Sequence, residues 1–141
     1  MKPAPFDYVA PTSVAEALDT LAEAGGGATL LAGGQTLMPL LNLRMSQPFI
    51  LVDINKIAGL EYVREEQSYL AIGALTREST LEESAVLARG YPLLSDASRV
   101  IADPLVRNRA TVGGNLAHAG PANDHPAVML AYGAQIVARG P

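Results

Sequence analysis

The sequence predicts a mixed α/β or α+β domain, on three observations. A segment at residues 12–25 places Val14, Ala15, Ala17, Leu18, Leu21 and Ala22 on one face at helical spacing. Two short apolar runs, Ala28-Thr29-Leu30-Leu31-Ala32 and Phe49-Ile50-Leu51-Val52-Asp53-Ile54, are bounded by turn residues and read as buried strands. The 141 residues are 49% hydrophobic and 17% charged, a globular balance with enough chain to bury a core.

The first helix carries its own boundaries. Ser13 followed by Glu16 matches a capping box, and Gly25 supplies a left-handed stop. After the first apolar run, residues 35–43 predict a helical turn whose interior Pro39 limits. Residues 61–64 and 68–73 read as a hairpin joined by Glu65-Glu66-Gln67. Thr80 with Glu83 repeats the capping-box pattern for a helix ending near Gly90, and Pro92 suits the first turn of the next helix, 93–101. Asp103-Pro104 breaks that pattern, and 107–124 reads as a loop-rich stretch. A helix is expected at 126–132 and a strand at 135–138. A strand so close to the last residue predicts an N-terminal piece of a longer polypeptide. The change in pattern near 54–59 divides the chain into a first small α/β lobe, 1–55, and a second α+β lobe, 56–141, truncated at its C-terminus.

Composition excludes whole classes of function. There is no Cys, so thiolate metal sites, iron–sulfur ligation and Cys nucleophiles are absent from this sequence. The net charge of -4 and the scattered basic residues argue against a nucleic-acid binder. No apolar stretch approaches the roughly 20 residues that span a bilayer, and Met1-Lys2-Pro3-Ala4-Pro5 lacks a signal peptide's apolar core. The expected location is the cytoplasm.

The informative features are two glycine pairs. Leu30-Leu31-Ala32-Gly33-Gly34-Gln35-Thr36-Leu37 and Ala110-Thr111-Val112-Gly113-Gly114-Asn115 each set a double glycine beside an apolar segment, with an amide side chain after it. Adjacent glycines let successive N–H groups converge on one point as an anion nest. A helix starting there adds unsatisfied N–H groups and a positive dipole end. Two such loops would hold a diphosphate without lysine, and Lys2 and Lys56 are the only lysines. A lone Gly-Gly after a strand is more often only a turn. Neither a G-x-G-x-x-G after a strand nor a G-x-x-x-x-G-K-[ST] is present.

The remaining candidates divide between structural and functional roles. Asp124 precedes an expected helix, so it reads either as an N-cap or as a carboxylate for ribose hydroxyls. His118 and His125 are seven apart with no third His and no Cys, which argues against a metal site. His125 is expected to matter little for ligand binding. Arg99, Arg107 and Arg109 are expected to pair with Asp96 and Asp103, and Met38, Met45 and Met129 to sit in the core. No catalytic acid, base or nucleophile stands out.

Ala32-Gly33-Gly34-Gln35-Thr36-Leu37-Met38-Pro39 with Leu43-Arg44, and Thr111-Val112-Gly113-Gly114-Asn115-Leu116-Ala117 with Pro121-Ala122-Asn123-Asp124, resemble the two FAD loops of the molybdenum hydroxylases. The likeness is to the FAD-binding medium subunit of carbon monoxide dehydrogenase-like enzymes and to the flavin segment of xanthine dehydrogenase. It runs from Phe6-Asp7-Tyr8 across nearly the whole chain.

The resemblance implies an α+β, two-lobed FAD-binding fold of the vanillyl-alcohol oxidase and p-cresol methylhydroxylase type, with only its N-terminal portion present. By position, Leu30, Leu31, Ala32, Gly33, Gly34, Gln35, Thr36 and Leu37 would cradle the pyrophosphate with Ala110, Thr111, Val112, Gly113, Gly114 and Asn115. Asp124 would match the family's FAD-contacting acid, and Ile101 an apolar position packed on the cofactor. The implied partners are an iron–sulfur small subunit and a molybdenum-cofactor large subunit, with FAD passing electrons to a terminal acceptor. An exposed sheet edge in such a piece favours self-association. The competing readings are a stand-alone flavoprotein oxidase or reductase of the same fold, and a cofactor-free interaction module.

Overall fold

The computed structural model describes residues 1–140. The chain divides into two compact units, Met1–Ala58 with the chain end from Val137, and Gly59–Ile136.

The first unit is built on a parallel sheet. Strands β1 (Asp7–Val9), β2 (Ala28–Leu31) and β3 (Ile50–Asp53) lie in the order β1-β3-β2, with β3 in the centre. Tyr8 pairs with Leu51 on one side, and Thr29 with Leu51 on the other. Parallel neighbours need crossovers. Helix α1 (Val14–Ala24) supplies the first and α2 (Leu37–Asn42) lies in the second. The central position explains the apolar run at 50–52: Leu51 and Val52 are buried, with Ala17 from α1 and Leu41 from α2 also in the core. Apolar patterning does not mark β1, a three-residue edge strand with Asp7 and Tyr8 both exposed.

Local chemistry sets the helix ends. Ser13 Oγ accepts the Glu16 N–H at 3.2 Å, and Glu16 reaches back to the Thr12 N–H at 2.8 Å, one residue beyond the Ser13 amide that a reciprocal box uses. Pro39 is third in α2, inside the first turn, where the missing N–H has no intrahelical partner to lose.

The second unit joins an antiparallel hairpin to six short helices. The hairpin is β4 (Val63–Glu65) and β5 (Leu70–Ile72), with Glu65 paired to Leu70, so Glu65 belongs to the strand rather than the turn. The helices are α3 (Glu78–Glu82), α4 (Ala85–Gly90), α5 (Pro92–Val100), α6 (Pro104–Arg107), α7 (Val112–His118) and α8 (His125–Ala131). Their core is Leu81, Leu87, Leu94, Ala97, Val112 and Val128, packed by Val63, Leu70 and Ile72 of the hairpin. Each fully buried leucine here contributes on the order of 1.5–3 kcal/mol relative to exposure.

Several expectations change. Thr80 is not a cap: it sits inside α3, and Ser84 caps the next helix through the Leu87 N–H at 3.4 Å. Residues 107–124 hold a helix the reading did not expect, α7 at their centre, with loops on either side of it. Residues 135–138 form no strand; Ile136 is 69% and Val137 96% exposed, and among the described residues they pair with neither sheet. Met45 is 73% exposed and Met38 also lies on the surface, so neither is core.

Candidate functional site

In the first unit the candidate residues lie at the carboxyl end of the parallel sheet, where open α/β sheets place their ligands. Leu30 and Leu31 end β2, and Ala32, Gly33, Gly34, Gln35 and Thr36 turn the chain into α2 at Leu37. Gly34 takes φ +75°, a conformation that L side chains rarely adopt. Among the described residues, the N–H groups of Gly34, Gln35, Thr36 and Leu37 have no backbone acceptor. The Thr36 side chain makes no cap bond and is exposed, while Gln35 Nε2 folds back on the Gly33 carbonyl at 3.2 Å. This is a short row of unsatisfied donors at a helix entry, as the glycine-pair reading predicts.

A polar network that the sequence reading missed holds this loop. Asn55 Nδ2 donates to the Ala32 carbonyl at 2.8 Å and to Asp53 Oδ1 at 2.6 Å. Asp53 also accepts from the Asn55 N–H at 2.9 Å and from the Tyr8 hydroxyl at 2.6 Å. Partial burial alone would push the Asp53 carboxyl up. The bonds from Tyr8 and Asn55, with Lys56 nearby, outweigh it and hold the carboxyl below the usual carboxylate range. The signal available in sequence was Asp53-x-Asn55 directly after an apolar strand, an Asx-turn pattern.

In the second unit the glycine pair is built differently. Thr111 is the N-cap of α7, and its Oγ1 accepts the Gly114 N–H at 3.2 Å. The Val112 N–H donates to the Thr76 carbonyl, Gly113 to Ala74, and Asn115 to Thr111. The amides of Val112, Gly113, Gly114 and Asn115 are therefore committed inside the protein, and the expected backbone nest is not formed there. Gly113 is needed for close packing instead: a Cβ on it would stand 2.7 Å from the Ala74 carbonyl oxygen. Ala110 accepts the Glu78 N–H, and Asn115 keeps a buried Oδ1 with no hydrogen-bond partner.

Asp124 occupies the N-cap position of α8, but its backbone is helical and its side chain makes no cap bond. Its exposed carboxylate is thus free for an outside donor. Ile101 is 7% exposed at the end of α5. Arg99 pairs with Asp96 at 3.3 Å, as expected. Arg107 does not pair with Asp103, whose carboxylate caps α6 through the Leu105 and Val106 N–H groups. It binds Glu82 at 2.7 Å instead, and donates to the carbonyls of Ile101 and Ala102. The two histidines separate in environment. His118 is exposed in the last turn of α7, whereas His125 is fully buried against Glu78 at 2.7 Å.

The family described as the FAD binding domain in molybdopterin dehydrogenase matches residues 4–141. By fold and match the chain is an α+β FAD-binding domain. It belongs to the FAD-binding domain family of the molybdopterin dehydrogenases. The chain is 50% identical over 139 residues to the 6-hydroxypseudooxynicotine dehydrogenase complex subunit alpha of Paenarthrobacter nicotinovorans, covering 99% of this chain and 47% of that one. It is 49% identical over 141 residues to the carbon monoxide dehydrogenase medium chain of Hydrogenophaga pseudoflava, covering 100% of this chain and 49% of the relative. A solved structure of carbon monoxide dehydrogenase from Hydrogenophaga pseudoflava superposes with a TM-score of 0.90 at 50% identity, covering 93% of this chain and 46% of that one. The chain thus spans about half the length of the curated relatives it matches. No helix of the described residues is long and apolar enough to cross a membrane.

Proposed function

We propose that this chain holds FAD for a molybdenum-hydroxylase-type oxidoreductase. The observation that carries the reading is the unsatisfied donor row Gly34–Leu37 at the carboxyl end of a parallel sheet, in a chain of this family. FAD, when bound, takes up two electrons and releases them to an acceptor. This chain's residues bind and orient it.

The amides of Gly34, Gln35, Thr36 and Leu37 would take the diphosphate oxygens, with the Thr36 hydroxyl as a further donor. The positive φ of Gly34 would set the turn that presents those amides, and the Asp53–Asn55–Ala32 network would hold the loop in place. Leu30, Leu31, Ala32 and Gly33 would line the approach to this row. In the second unit the segment Ala110–Asn115 would meet the cofactor by close contact rather than by backbone donors, since its amides are already used. Asp124 would accept ribose hydroxyls and keep its negative charge off the phosphates. Ile101 would supply apolar contact near the cofactor.

The proposed route runs from a molybdenum centre and iron–sulfur clusters in partner subunits, through FAD, to a terminal acceptor. The sequence has no Cys to ligate such clusters, which agrees with their lying in another chain or domain. The cytoplasmic location read from the sequence belongs to the same proposal.

Flavin extraction and quantification from the full protein, co-purified with its partners, tests the reading. About one FAD per chain is expected, with iron and molybdenum in the complex. A colourless complex would overturn it.

A further inference from the structure

We infer that Glu78 and His125 form a positioning pair that sets the segment 110–125. The ligand of that segment rests on the FAD reading above, while the structural role does not. Glu78 touches the segment at both ends. Its backbone N–H donates to the Ala110 carbonyl at 3.1 Å, and its Oε2 lies 2.7 Å from His125 Nε2. Thr111, Gly113, Gly114 and Asn115 follow the first anchor, and Asp124 immediately precedes the second. The bridge between Arg77 and Thr111 lies beside the first anchor. Ala117, His118 and Ala119 are exposed, so beyond the bonds of Val112 and Gly113 to Thr76 and Ala74 this exposed stretch is placed by the elements on either side of it.

The chemistry of the pair fits positioning rather than proton transfer. Both side chains are 0% exposed and cannot touch a cofactor at the surface. Glu78 Oε1 and His125 Nδ1 have no hydrogen-bond partner, so one hydrogen bond joins the two side chains. Two apolar residues would fill this space without stranded polar atoms. What they would not supply is a directional bond that fixes where α8 begins relative to α3. The start of α8 carries Asp124, and Arg77, the bridge partner of Thr111, is the N-cap residue of α3.

The test uses the full protein with its native partners, deflavinated and titrated with FAD, together with amide hydrogen exchange. Glu78→Leu and His125→Leu are each expected to weaken FAD binding about tenfold or more. Exchange is expected to rise within 110–125 while α4 and α5 stay as protected as in the unaltered protein. Glu78→Gln keeps an oxygen that accepts from Nε2 and is expected to stay within about threefold. Should the leucine variants not accumulate, Glu78→Asp withdraws the carboxylate by one methylene, keeps the bond to Ala110, and is expected to give the same exchange pattern. Leucine or aspartate variants with unchanged exchange at 110–125 would overturn the proposal. So would exchange rising evenly through 59–136, which marks a general stabiliser. If the unaltered protein takes up no FAD, the flavin reading fails and the exchange pattern alone decides the pair's role.

Discussion

Gly113 packs its bare Cα against Ala74, so closely that a Cβ built there would lie 2.7 Å from the Ala74 Cβ, 2.7 Å from its carbonyl oxygen and 2.9 Å from its Cα. Two of those three atoms are backbone and cannot rotate away. The same pair shares the bond from the Gly113 N–H to the Ala74 carbonyl, 2.9 Å long. Gly113→Ala is therefore expected to destabilise the second unit by about 1–3 kcal/mol, read as a lower urea midpoint at unchanged slope. Ala74→Gly in the same chain removes only the Cβ contact and should restore part of the loss. Full stability in the single variant would show that α7 slides freely along the 74–76 segment.

Gly34 presents a different demand. Its φ of +75° costs any L residue about 1–2 kcal/mol, and an added Cβ would lie 3.1 Å from Leu31 Cδ1 and 3.3 Å from Met38 Cγ. Gly34→Val is expected to re-aim the amides of 34–37 and cut FAD retention at least about tenfold. Gly34→Asn, which enters the left-handed region more readily, should retain more flavin than Gly34→Val. Equal retention in the two variants would remove backbone conformation from the explanation.

How much of this was legible in the sequence depended on whether the cause was local. The amphipathic face of α1, the αL stop at Gly25 and the apolar run of β3 are local patterns, and each is found in the structure. The first glycine loop was legible for the same reason, since a strand, two glycines and a helix entry are contiguous. The second pair has the same local look, yet Thr76 and Ala74 reach Val112 and Gly113 from 36 and 39 residues away and take their amides. Nothing at 110–115 marks that arrival. Thr80 and Glu83 satisfied the spacing of a cap, but Thr80 lies inside and Glu83 just past the end of a helix that begins earlier at Glu78, beside the bridge from Arg77 to Thr111 and the bond from Glu78 to Ala110. Glu78–His125 and Arg107–Glu82 are likewise contacts across 47 and 25 residues, and a single sequence carries no trace of either pairing.

Arg107 ties three elements together. It binds both Glu82 oxygens, at 2.7 and 3.3 Å, and caps the end of α5 through the carbonyls of Ile101 and Ala102 at 3.1 and 3.2 Å. Its side chain is 9% exposed and that of Glu82 is 30% exposed, so solvent screens the acid more than the guanidinium. Arg107→Met leaves Glu82 and two carbonyls without their donors and is expected to cost about 2–3 kcal/mol, at the low end for a broken buried pair. Arg107→Lys should recover less than half of it, because an ammonium cannot make the fork to Glu82 and reach both carbonyls. Thermal unfolding of the three proteins side by side measures this. A lysine variant as stable as the parent would reduce the role of Arg107 to its charge.

The Asp53 network makes the first unit acid-sensitive in a predictable window. Its carboxyl is pushed up by partial burial and more than pulled back by Tyr8, Asn55 and Lys56, so it holds its proton less readily when folded than when unfolded. The stability it contributes is present in full above the ordinary carboxylate value of about pH 4, and is lost as pH falls through the lower folded value. The Tyr8 phenol moves the other way: the bond to Asp53 raises it, so that bond contributes below about pH 10 and fades as pH climbs through the raised value. Glu16, lowered by its bonds from Thr12, titrates in the same acid range, so a variant is compared rather than the raw curve. Asp53→Asn is expected to be less stable than the parent by a constant gap from pH 8 down to about pH 4, with the gap narrowing only below that as pH falls through the lowered folded value. Urea midpoints collected from pH 3 to 8 for both proteins give that gap directly. A gap that stayed constant over the range would show that the negative charge on Asp53 plays no part in holding Asn55 against Ala32.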